Sequence, residues 1–236
     1  MKARGFSLFE CLIGLALSLF IVCACLEFFG AAQKSYFRLK DKEEAAQSAL
    51  AAMDKMRVDI LRAGQGLGLA VALGLVEPAA AADGSLAVTR SEKAYGLAAD
   101  VGEGDSRIPL TSVSDLKPGR QIFVSNGENG EVRTISSVAA GAVIVSSPLD
   151  GVYARETTSV QLLETVILTM DQTQGVIRRR VNLSTAQPLL ENARSADFLV
   201  DWPANLIRVR FTLISQGDAS YELCLFPKNP ALARKQ

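Results

Sequence analysis

The sequence contains no histidine, and most of its cysteines lie in one place. Its 236 residues include no His and four Cys, and three of these, Cys11, Cys23 and Cys25, fall in one apolar segment near the N-terminus. Without His, an enzyme would lack the commonest general base and the commonest metal ligand. Because Cys224 alone lies outside that segment, the rest of the chain cannot form an internal disulfide.

The sequence has no surplus of either charge and no recognisable chemical motif. Lys and Arg together number 25, as do Asp and Glu, so the formal net charge is zero. That balance offers no basic surface of the kind that binds nucleic acid. The Cys23-x-Cys25 spacing differs from the two-residue spacing of zinc and redox sites, so we interpret the three clustered cysteines as membrane-facing apolar residues, with lipidation of one as an alternative. We expect no catalytic residue, no cofactor and no metal site.

The N-terminus combines a short basic leader, a glycine and a single carboxylate at the start of an apolar run. Met1-Lys2-Ala3-Arg4-Gly5 precedes Phe6-Ser7-Leu8-Phe9-Glu10, and the chain is then apolar from Cys11 to Leu26. A carboxylate inside a membrane costs about 2.5 to 3.5 kcal/mol on insertion scales, so a simple anchor gains nothing from Glu10. A secretory signal peptide or signal anchor also begins with cations, but the expected small-x-small cleavage site is poorly matched by Cys23-Ala24-Cys25.

This junction resembles the processing site of the type IV pilin and type II pseudopilin superfamily. The resemblance implies that prepilin peptidase cuts between Gly5 and Phe6 and methylates the new amino group of Phe6. It also implies that Glu10 faces the positive terminus of a neighbouring subunit during assembly. Such a buried pair fixes register more than it adds stability, because desolvation offsets much of the attraction. Lys2 and Arg4 are expected to stay cytoplasmic by the positive-inside bias.

One long helix is predicted from Phe6 to about Ala63. This segment contains no Pro, and its glycines are Gly14 and Gly30. We expect residues 6–30 to form a transmembrane half and residues 31–63 an amphipathic half. Glu27 interrupts the apolar run and is expected at the outer membrane interface, or opposite a cation of a neighbouring subunit.

The amphipathic half shows a seven-residue repeat of apolar side chains. The predicted stripe consists of Leu39, Ala46, Met53 and Ile60, with Ala49, Leu50 and Met56 in the intervening turns. We expect this stripe to pack on the protein's own sheet, with a coiled coil to a partner as the alternative.

A glycine-rich turn is predicted to end the helix. Gly64 follows Arg62-Ala63 and is expected to supply the left-handed C-cap. A dinucleotide-binding loop is excluded, because residue 69 is Leu and a helix precedes the glycines. The segment Asp59-Ile-Leu-Arg62-Ala-Gly64 resembles the Asp-x-x-Arg-x-Gly signature of PilW-like minor pilins and of J-type pseudopilins of type II secretion.

Beyond a connector at residues 64–85, the sequence predicts a β-rich domain at residues 86–236 and hence an α+β fold. Turn signals such as Lys117-Pro118-Gly119 and Asn126-Gly127 separate the predicted strands and favour antiparallel hairpins. Residues 108–153 are interpreted as a small β insertion in a pilin-like sheet. The predicted strands are Leu86–Thr89, Gln121–Ser125, Glu131–Ser136, Ala142–Ser146, Val160–Thr169, Gly175–Val181, Phe198–Asp201, Leu206–Leu213 and Tyr221–Leu225.

Three further clusters are interpreted as structural. The acidic segment from Asp100 to Asp105 lacks the ligand spacing of an EF-hand and is expected to be a flexible turn. Arg178-Arg179-Arg180 is predicted to lie on a strand, which directs the middle guanidinium to the opposite face, and all three are expected to be solvated. Trp202 is expected to be a core or rim aromatic residue.

The family resemblance implies a structural protein that functions by assembly. Expected partners are the prepilin peptidase, other minor pilins and the major pilin (or pseudopilins), and an inner-membrane assembly platform, with no nucleic acid. The expected location is the inner membrane, with one pass and a periplasmic globular domain, and then a pilus at the cell surface. Two alternatives stay open: a minor pseudopilin of a type II secretion system, and a membrane-tethered module that binds a ligand and never enters a filament.

The processing site can be tested by the mass of the N-terminal peptide. In cells with prepilin peptidase, we expect the mature chain to begin at an N-methylated Phe6, whereas cells lacking the enzyme should retain the leader through Gly5. Mass spectrometry of the purified protein measures both. A peptide that keeps Met1 in the presence of the enzyme, or a cut beyond Ala24, would contradict the predicted site.

Overall fold

The computed structural model describes residues 8–214 and 219–233, which belong to two compact units. The first unit is Met1–Gln47 and the second is Ser48–Gln236. Helix α1 (Leu8–Leu61) contributes residues 8–47 to the first unit and residues 48–61 to the second. The leader cations Lys2 and Arg4 and the predicted cleavage site at Gly5 and Phe6 lie outside the described residues.

The first unit is helical, and its apolar side chains are uncovered. Leu8, Phe9 and Phe20 are 83%, 70% and 74% exposed, and the large apolar residues through Phe29 are likewise exposed. Among the described residues, α1 is the one helix long and apolar enough to cross a membrane. The core helix of a soluble protein passes the same test, but the apolar window of α1 has no buried residue.

The second unit is β-rich, and with α1 it confirms the α+β class. Its twelve strands pair in an antiparallel manner throughout the described part of the chain. The elements after α1 are α2 (Gly68–Ala72), β1 (Ala79–Ala82), β2 (Ser85–Gly96), β3 (Arg107–Pro109), β4 (Gln121–Ser125), β5 (Gly130–Ala139), β6 (Ala142–Val145), β7 (Ser159–Asp171), β8 (Val176–Val181), β9 (Gln187–Leu190), β10 (Ala193–Asp201), β11 (Leu206–Leu213), β12 (Ser220–Leu225) and α3 (Lys228–Ala233).

Strand β7 is the centre of the larger sheet, whose order is β1-β2-β7-β4-β5-β6-β3. One edge of β7 pairs with β2 along its length. The other edge pairs first with β4, through residues 159–162, and then with β8, through residues 166–171. Between these stretches, Arg120 Nη2 donates to the Leu163 carbonyl at 2.7 Å, and Asn182 N donates to the Thr165 carbonyl at 2.7 Å. The fork in the sheet is therefore closed by hydrogen bonds.

Residues 107–145 contain β3 to β6 and attach to the sheet through β7. Their core includes Ile108, Ile135 and Tyr153 and is shared with Leu162 of β7. At one end, Glu131 accepts hydrogen bonds from Gly151 N and Tyr153 Oη, both at 2.8 Å. Burial, and then this hydrogen bond, raise the pKa of Tyr153, which keeps the phenol protonated as a donor.

A second sheet, β10-β11-β12, has one apolar and one polar face. Along β11, Ile207, Val209, Phe211 and Leu213 are buried, and Phe211 stacks on Tyr221 with ring centroids 5.3 Å apart. Arg208 and Arg210 alternate with them and form ion pairs with Glu222. This alternation is typical of an antiparallel sheet that covers a core on one side.

The predicted stripe on α1 is wrong in part. The buried residues are Ala49, Ala52, Met56, Asp59 and Ile60, whereas Leu39 and Leu50 are 65% and 57% exposed. A straight α-helix repeats every 3.6 residues, so a strict seven-residue pattern drifts about 20° per heptad around its surface. The contact face instead follows steps of three and four residues, which suits packing on a sheet.

The predicted connector at residues 64–85 contains two regular elements, α2 and β1. The run Ala79–Ala82 pairs with β2, and Asp83 and Gly84 make the turn with φ values of 47° and 71°. The loop before it lies against the same edge of β2. Gly64 N donates to the Thr89 carbonyl and Ser91 N donates to the Gln65 carbonyl, both at 2.8 Å.

Gly66 permits this close approach and provides a stability test. Its φ is 75°, and a Cβ added there would lie 2.8 Å from Ser91 Cβ. We expect Gly66→Ala to lower the free energy of unfolding by about 2 to 4 kcal/mol, from left-handed strain plus overpacking. Chemical denaturation of the full chain in detergent, followed by fluorescence of Trp202, measures the change.

Gly74→Ala is the matched control for this substitution. Gly74 has a φ of 70° but nothing within 4 Å of an added Cβ, so it carries the conformational strain alone, about 1 kcal/mol. Equal decreases in the free energy of unfolding for Gly66→Ala and Gly74→Ala would show that the loop at Gly66 is not closely packed against β2.

Candidate functional site

Glu10 lies in the first turn of α1, on an exposed surface. A carboxylate at a helix N-terminus interacts favourably with the macrodipole, which offsets part of its cost in an apolar setting. Its neighbours Phe9 and Ile13 are 70% and 48% exposed. The structure thus presents Glu10 as an acid at the head of an uncovered apolar helix.

The other polar or reactive side chains of the apolar segment are exposed as well. Cys11, Cys23 and Cys25 are free and exposed, as is Cys224 in the second unit. Glu27 is exposed and stands 17 residues after Glu10, a rise of about 26 Å along the helix.

At its other end, α1 is held to β8 by a bidentate ion pair. Arg179 Nε donates to Asp59 Oδ2 at 2.7 Å, and Arg179 Nη2 donates to Asp59 Oδ1 at 3.0 Å. The side chain of Asp59 is 2% exposed and that of Arg179 is 19% exposed. The hydrogen bond to Asp59 raises the pKa of Arg179, so the guanidinium stays charged. Two parallel N–H···O bonds fix orientation as well as distance.

A second buried ion pair joins the neighbouring strands. Arg90 of β2 and Glu164 of β7 are directly opposed in the sheet, and Arg90 Nε donates to Glu164 Oε2 at 2.7 Å. The charge of Glu164 also contributes to raising the pKa of Arg179. The two ion pairs therefore act on one another across the sheet.

The end of α1 is closed by Gly64, as the sequence predicted. Gly64 has a φ of 67°, and an added Cβ would lie 3.2 Å from Pro78 and 3.4 Å from Pro230. Asn229 Nδ2 donates to the Ala63 carbonyl at 3.3 Å, which satisfies one of the free carbonyls of the helix end. Position 64 therefore requires glycine for two reasons: its left-handed backbone conformation and the lack of space for a side chain.

The acidic and basic residues of the resembled signature have different roles. Asp59 is buried in its pair with Arg179, whereas Arg62 is exposed and lines a cleft of about 560 Å³ together with Gln65, Arg90, Lys93 and Glu164. The spacing Asp-x-x-Arg-x-Gly is therefore explained at two positions by contacts within the second unit. Arg62 is directed to the surface.

The prediction that all three consecutive arginines are solvated is wrong. Arg179 lies on the buried side of β8, as alternation requires, and Asp59 meets it there. Arg178 pairs with Asp171 at 3.1 Å and donates to Gln174. The backbone N–H of Gln174 and the Arg178 guanidinium lower the pKa of Asp171. Arg180 is exposed.

The acidic segment around Asp100 is tied into the fold by backbone donors. Arg155 N donates to Asp100 Oδ1 at 2.7 Å, and Gly102 N donates to Asp105 Oδ2 at 2.8 Å. No cluster of three or more His, Cys, Asp or Glu suited to a metal ion occurs within residues 8–214 and 219–233. Trp202 is half-buried in the turn between β10 and β11.

Ser114-x-x-Lys117 has the spacing of some nucleophilic serines, a motif that the sequence-based expectation of no chemical motif missed. The lysine that reaches Ser114 Oγ is Lys93, at 3.2 Å. Lys93 also donates to Asp115 at 3.0 Å, and that hydrogen bond raises the pKa of Lys93. A lysine held protonated cannot serve as the general base that a nucleophilic serine needs.

Comparisons with known proteins do not place the chain in a family. No family model and no curated protein matches it. It is similar in part to the tailspike of Pseudomonas phage phi297, with 20% identity, a TM-score of 0.28, and coverage of 31% of this chain and 14% of that one. It is also similar in part to the tailspike of Acinetobacter baumannii bacteriophage AP22, solved with a capsular saccharide, with 13% identity, a TM-score of 0.29, and coverage of 33% and 15%. TM-scores this low support no argument about fold or function.

The Asp59–Arg179 pair gives a stability prediction. Arg179→Met leaves a buried carboxylate without its partner, and we expect the free energy of unfolding to fall by about 3 kcal/mol or more. Trp202 fluorescence during chemical denaturation of the full chain in detergent is the measurement.

Arg180→Met is the control, since Arg180 is on the same strand but exposed and should change stability by no more than about 0.5 kcal/mol. The double variant Asp59→Leu/Arg179→Met should recover much of the loss, because an apolar replacement of a buried pair is often neutral. If Arg179→Met and Arg180→Met lower the free energy of unfolding by similar amounts, the Asp59–Arg179 pair does not hold α1 to β8.

Proposed function

We propose that this protein is a minor pilin, a subunit that is processed by prepilin peptidase and enters a type IV pilus through its N-terminal helix. The observation that carries the proposal is Glu10, the one acidic residue between Met1 and Leu26. It follows the Gly5–Phe6 junction by four residues and lies in the first turn of α1. A carboxylate there opposes membrane insertion and costs less when a cation, such as a neighbour's new amino terminus, lies against it.

The uncovered first unit supports the proposal. Apolar side chains from Leu8 to Phe29 are exposed by about half or more, and such a surface requires a bilayer or other apolar helices. A filament subunit needs both in turn, since it begins in the membrane and ends among the helices of its neighbours. In contrast, a simple anchor needs only the bilayer.

The direction in which α1 crosses the membrane is inferred from the processing site more than from the distribution of charge. Lys2 and Arg4 precede the apolar segment, but Lys34, Arg38, Lys40 and Lys42 follow it, so the positive-inside bias does not decide between the two directions. Long domains translocate largely regardless of charge. With the leader cut on the cytoplasmic face of the inner membrane, the β-rich unit lies in the periplasm.

A minor pseudopilin of a type II secretion system is the second candidate. The segment Asp59–Gly64 resembles a signature of both groups and therefore favours the minor pilin and the minor pseudopilin equally. In this alternative the mechanism of assembly is the same, and the filament is periplasmic.

Substitution of Glu10 tests the proposal. We expect Glu10→Gln to be cleaved and methylated normally, to accumulate in the inner membrane, and to be reduced at least tenfold in sheared filaments or in crosslinked complexes with other pilins. Quantitative immunoblots of membrane and filament fractions measure this distribution. Glu27→Gln is the matched control, since it removes the other carboxylate that interrupts the apolar helix and should leave incorporation unchanged.

Normal incorporation of Glu10→Gln would refute the role of Glu10 in assembly, whereas absence of the wild type from filaments and from crosslinked complexes would favour a membrane-tethered binding module. If incorporation fails, the phenotype of the same strain separates the two filament types. Loss of surface pili indicates a type IV pilus, and loss of exoprotein secretion indicates a type II secretion system.

A further inference from the structure

The first polar turns after the apolar segment hold two cations and two aromatic residues. Lys34, Tyr36, Phe37 and Arg38 are all exposed, Tyr36 by 64% and Phe37 by 50%. The rings of Tyr36 and Phe37 meet edge to face, with centroids 5.9 Å apart. We refer to these four residues as the collar. Neither Lys34 nor Arg38 forms an ion pair with another described residue.

The charge sequence along α1 separates cations from acids at this point. Residues 33–40 contain Lys34, Arg38 and Lys40 and no acid. The acids Asp41, Glu43 and Glu44 come afterwards, and Glu44 pairs with Lys40 at 3.6 Å. The cations are therefore nearest the apolar segment, whereas an ordinary solvated helix face carries both signs intermixed.

Lys34, the first residue of the collar, lies at the outer edge of the lipid headgroups. Starting from Glu10 at one edge, about 20 residues span the hydrocarbon core and reach Phe29 at the other. Lys34 is then about 7 Å beyond that edge and Arg38 about 13 Å, and the headgroup region occupies the first 5 to 8 Å. The long stem of Arg38 can extend back toward the bilayer, while Lys42 lies beyond reach.

Aromatic side chains distinguish this segment from a merely solvated one. Tyr36 and Phe37, 64% and 50% exposed, gain little in water, but the amphipathic ring of Tyr is enriched at the membrane interface. Lys34 and Arg38 are four residues apart and so share one face of the helix. Glu27 and Asp41 lie seven residues before and after Lys34 on that face. Because both are acidic, any net attraction of this face to an anionic surface depends on Lys34 and Arg38.

We propose that the collar binds the headgroups of anionic phospholipids in the membrane-inserted form of the protein. This inference rests on the proposed function, because it requires α1 to cross the bilayer. Electrostatic attraction to an anionic surface decays within a Debye length, about 8 Å at physiological salt, so Lys34 should contribute most and Lys42 least. Release of these lipids is then part of moving from the membrane into a filament.

The test uses the full-length protein reconstituted in bilayers of equimolar phosphatidylglycerol and phosphatidylcholine. After extraction in mild detergent, mass spectrometry measures the ratio of the two lipids retained per protein. We expect the wild type to be enriched in phosphatidylglycerol at least threefold at low salt, with the enrichment lost in 0.5 M NaCl. Lys34→Gln/Arg38→Gln should retain the two lipids equally, and Lys34→Gln should lose more than Lys42→Gln.

Lys55→Gln/Arg57→Gln is the matched control, since it removes two exposed cations from the second-unit part of α1 and should keep the enrichment. No preference in the wild type, or an equal loss in this control, would overturn the proposal. A loss of co-purified partner subunits in Lys34→Gln/Arg38→Gln with unchanged lipid enrichment would also overturn it and assign the cations to a protein contact.

The same samples separate this inference from the proposed function. If the wild type fails to float with vesicles after an alkaline carbonate wash, the membrane-inserted helix itself is refuted. If it floats but shows no lipid preference, only the role of the collar is refuted.

Discussion

The placement of α1 on its domain depends on one buried ion pair. The other buried side chains of the helix in this region are Ala49, Ala52, Met56 and Ile60, whose apolar contacts are non-directional and tolerate a small shift along the sheet. Asp59 does not tolerate such a shift, because a carboxylate that is 2% exposed must keep its partner or lose several kcal/mol. The two parallel hydrogen bonds to Arg179 therefore select a single register for the last turns of the helix.

The strand that carries Arg179 is itself positioned by β7. This strand supports β8 with its second half and β4 with its first, so the residues from 107 to 145 and the partner of Asp59 share one scaffold. Arg120 and Asn182 close the gap between the two stretches by hydrogen bonds to the β7 backbone. Changes in β3 to β6 can thus occur beside the helix contact without disturbing it, because β7 is fixed on its other edge by β2.

The sequence predicted what depends on local pattern and missed what depends on distant contacts. Alternation and turn residues located strands such as β4, and Gly64 was recognised because a left-handed C-cap leaves a local signature. The run Ala79–Ala82 has low strand propensity and becomes a strand by pairing with β2. The partner of Asp59 is 120 positions away, so no local pattern indicates it. The sequence did contain a non-local signal for this pair. Asp59 lies in the apolar face of a helix and Arg179 on the buried face of a strand, and each of these charges requires an opposite charge.

The two parts of α1 differ in whether their apolar side chains are covered by the rest of the protein. This difference bears most directly on function. From Ala49 onward the helix covers its apolar face with its own domain, whereas residues 8–29 leave theirs exposed. The uncovered part would be a better membrane anchor without Glu10, since a carboxylate adds a cost to membrane insertion. That cost falls where an opposite charge lies within the same apolar layer, which is where the proposed assembly would put the new amino group of a neighbouring subunit. The position of Glu10 is therefore the feature of the helix on which the proposed assembly depends.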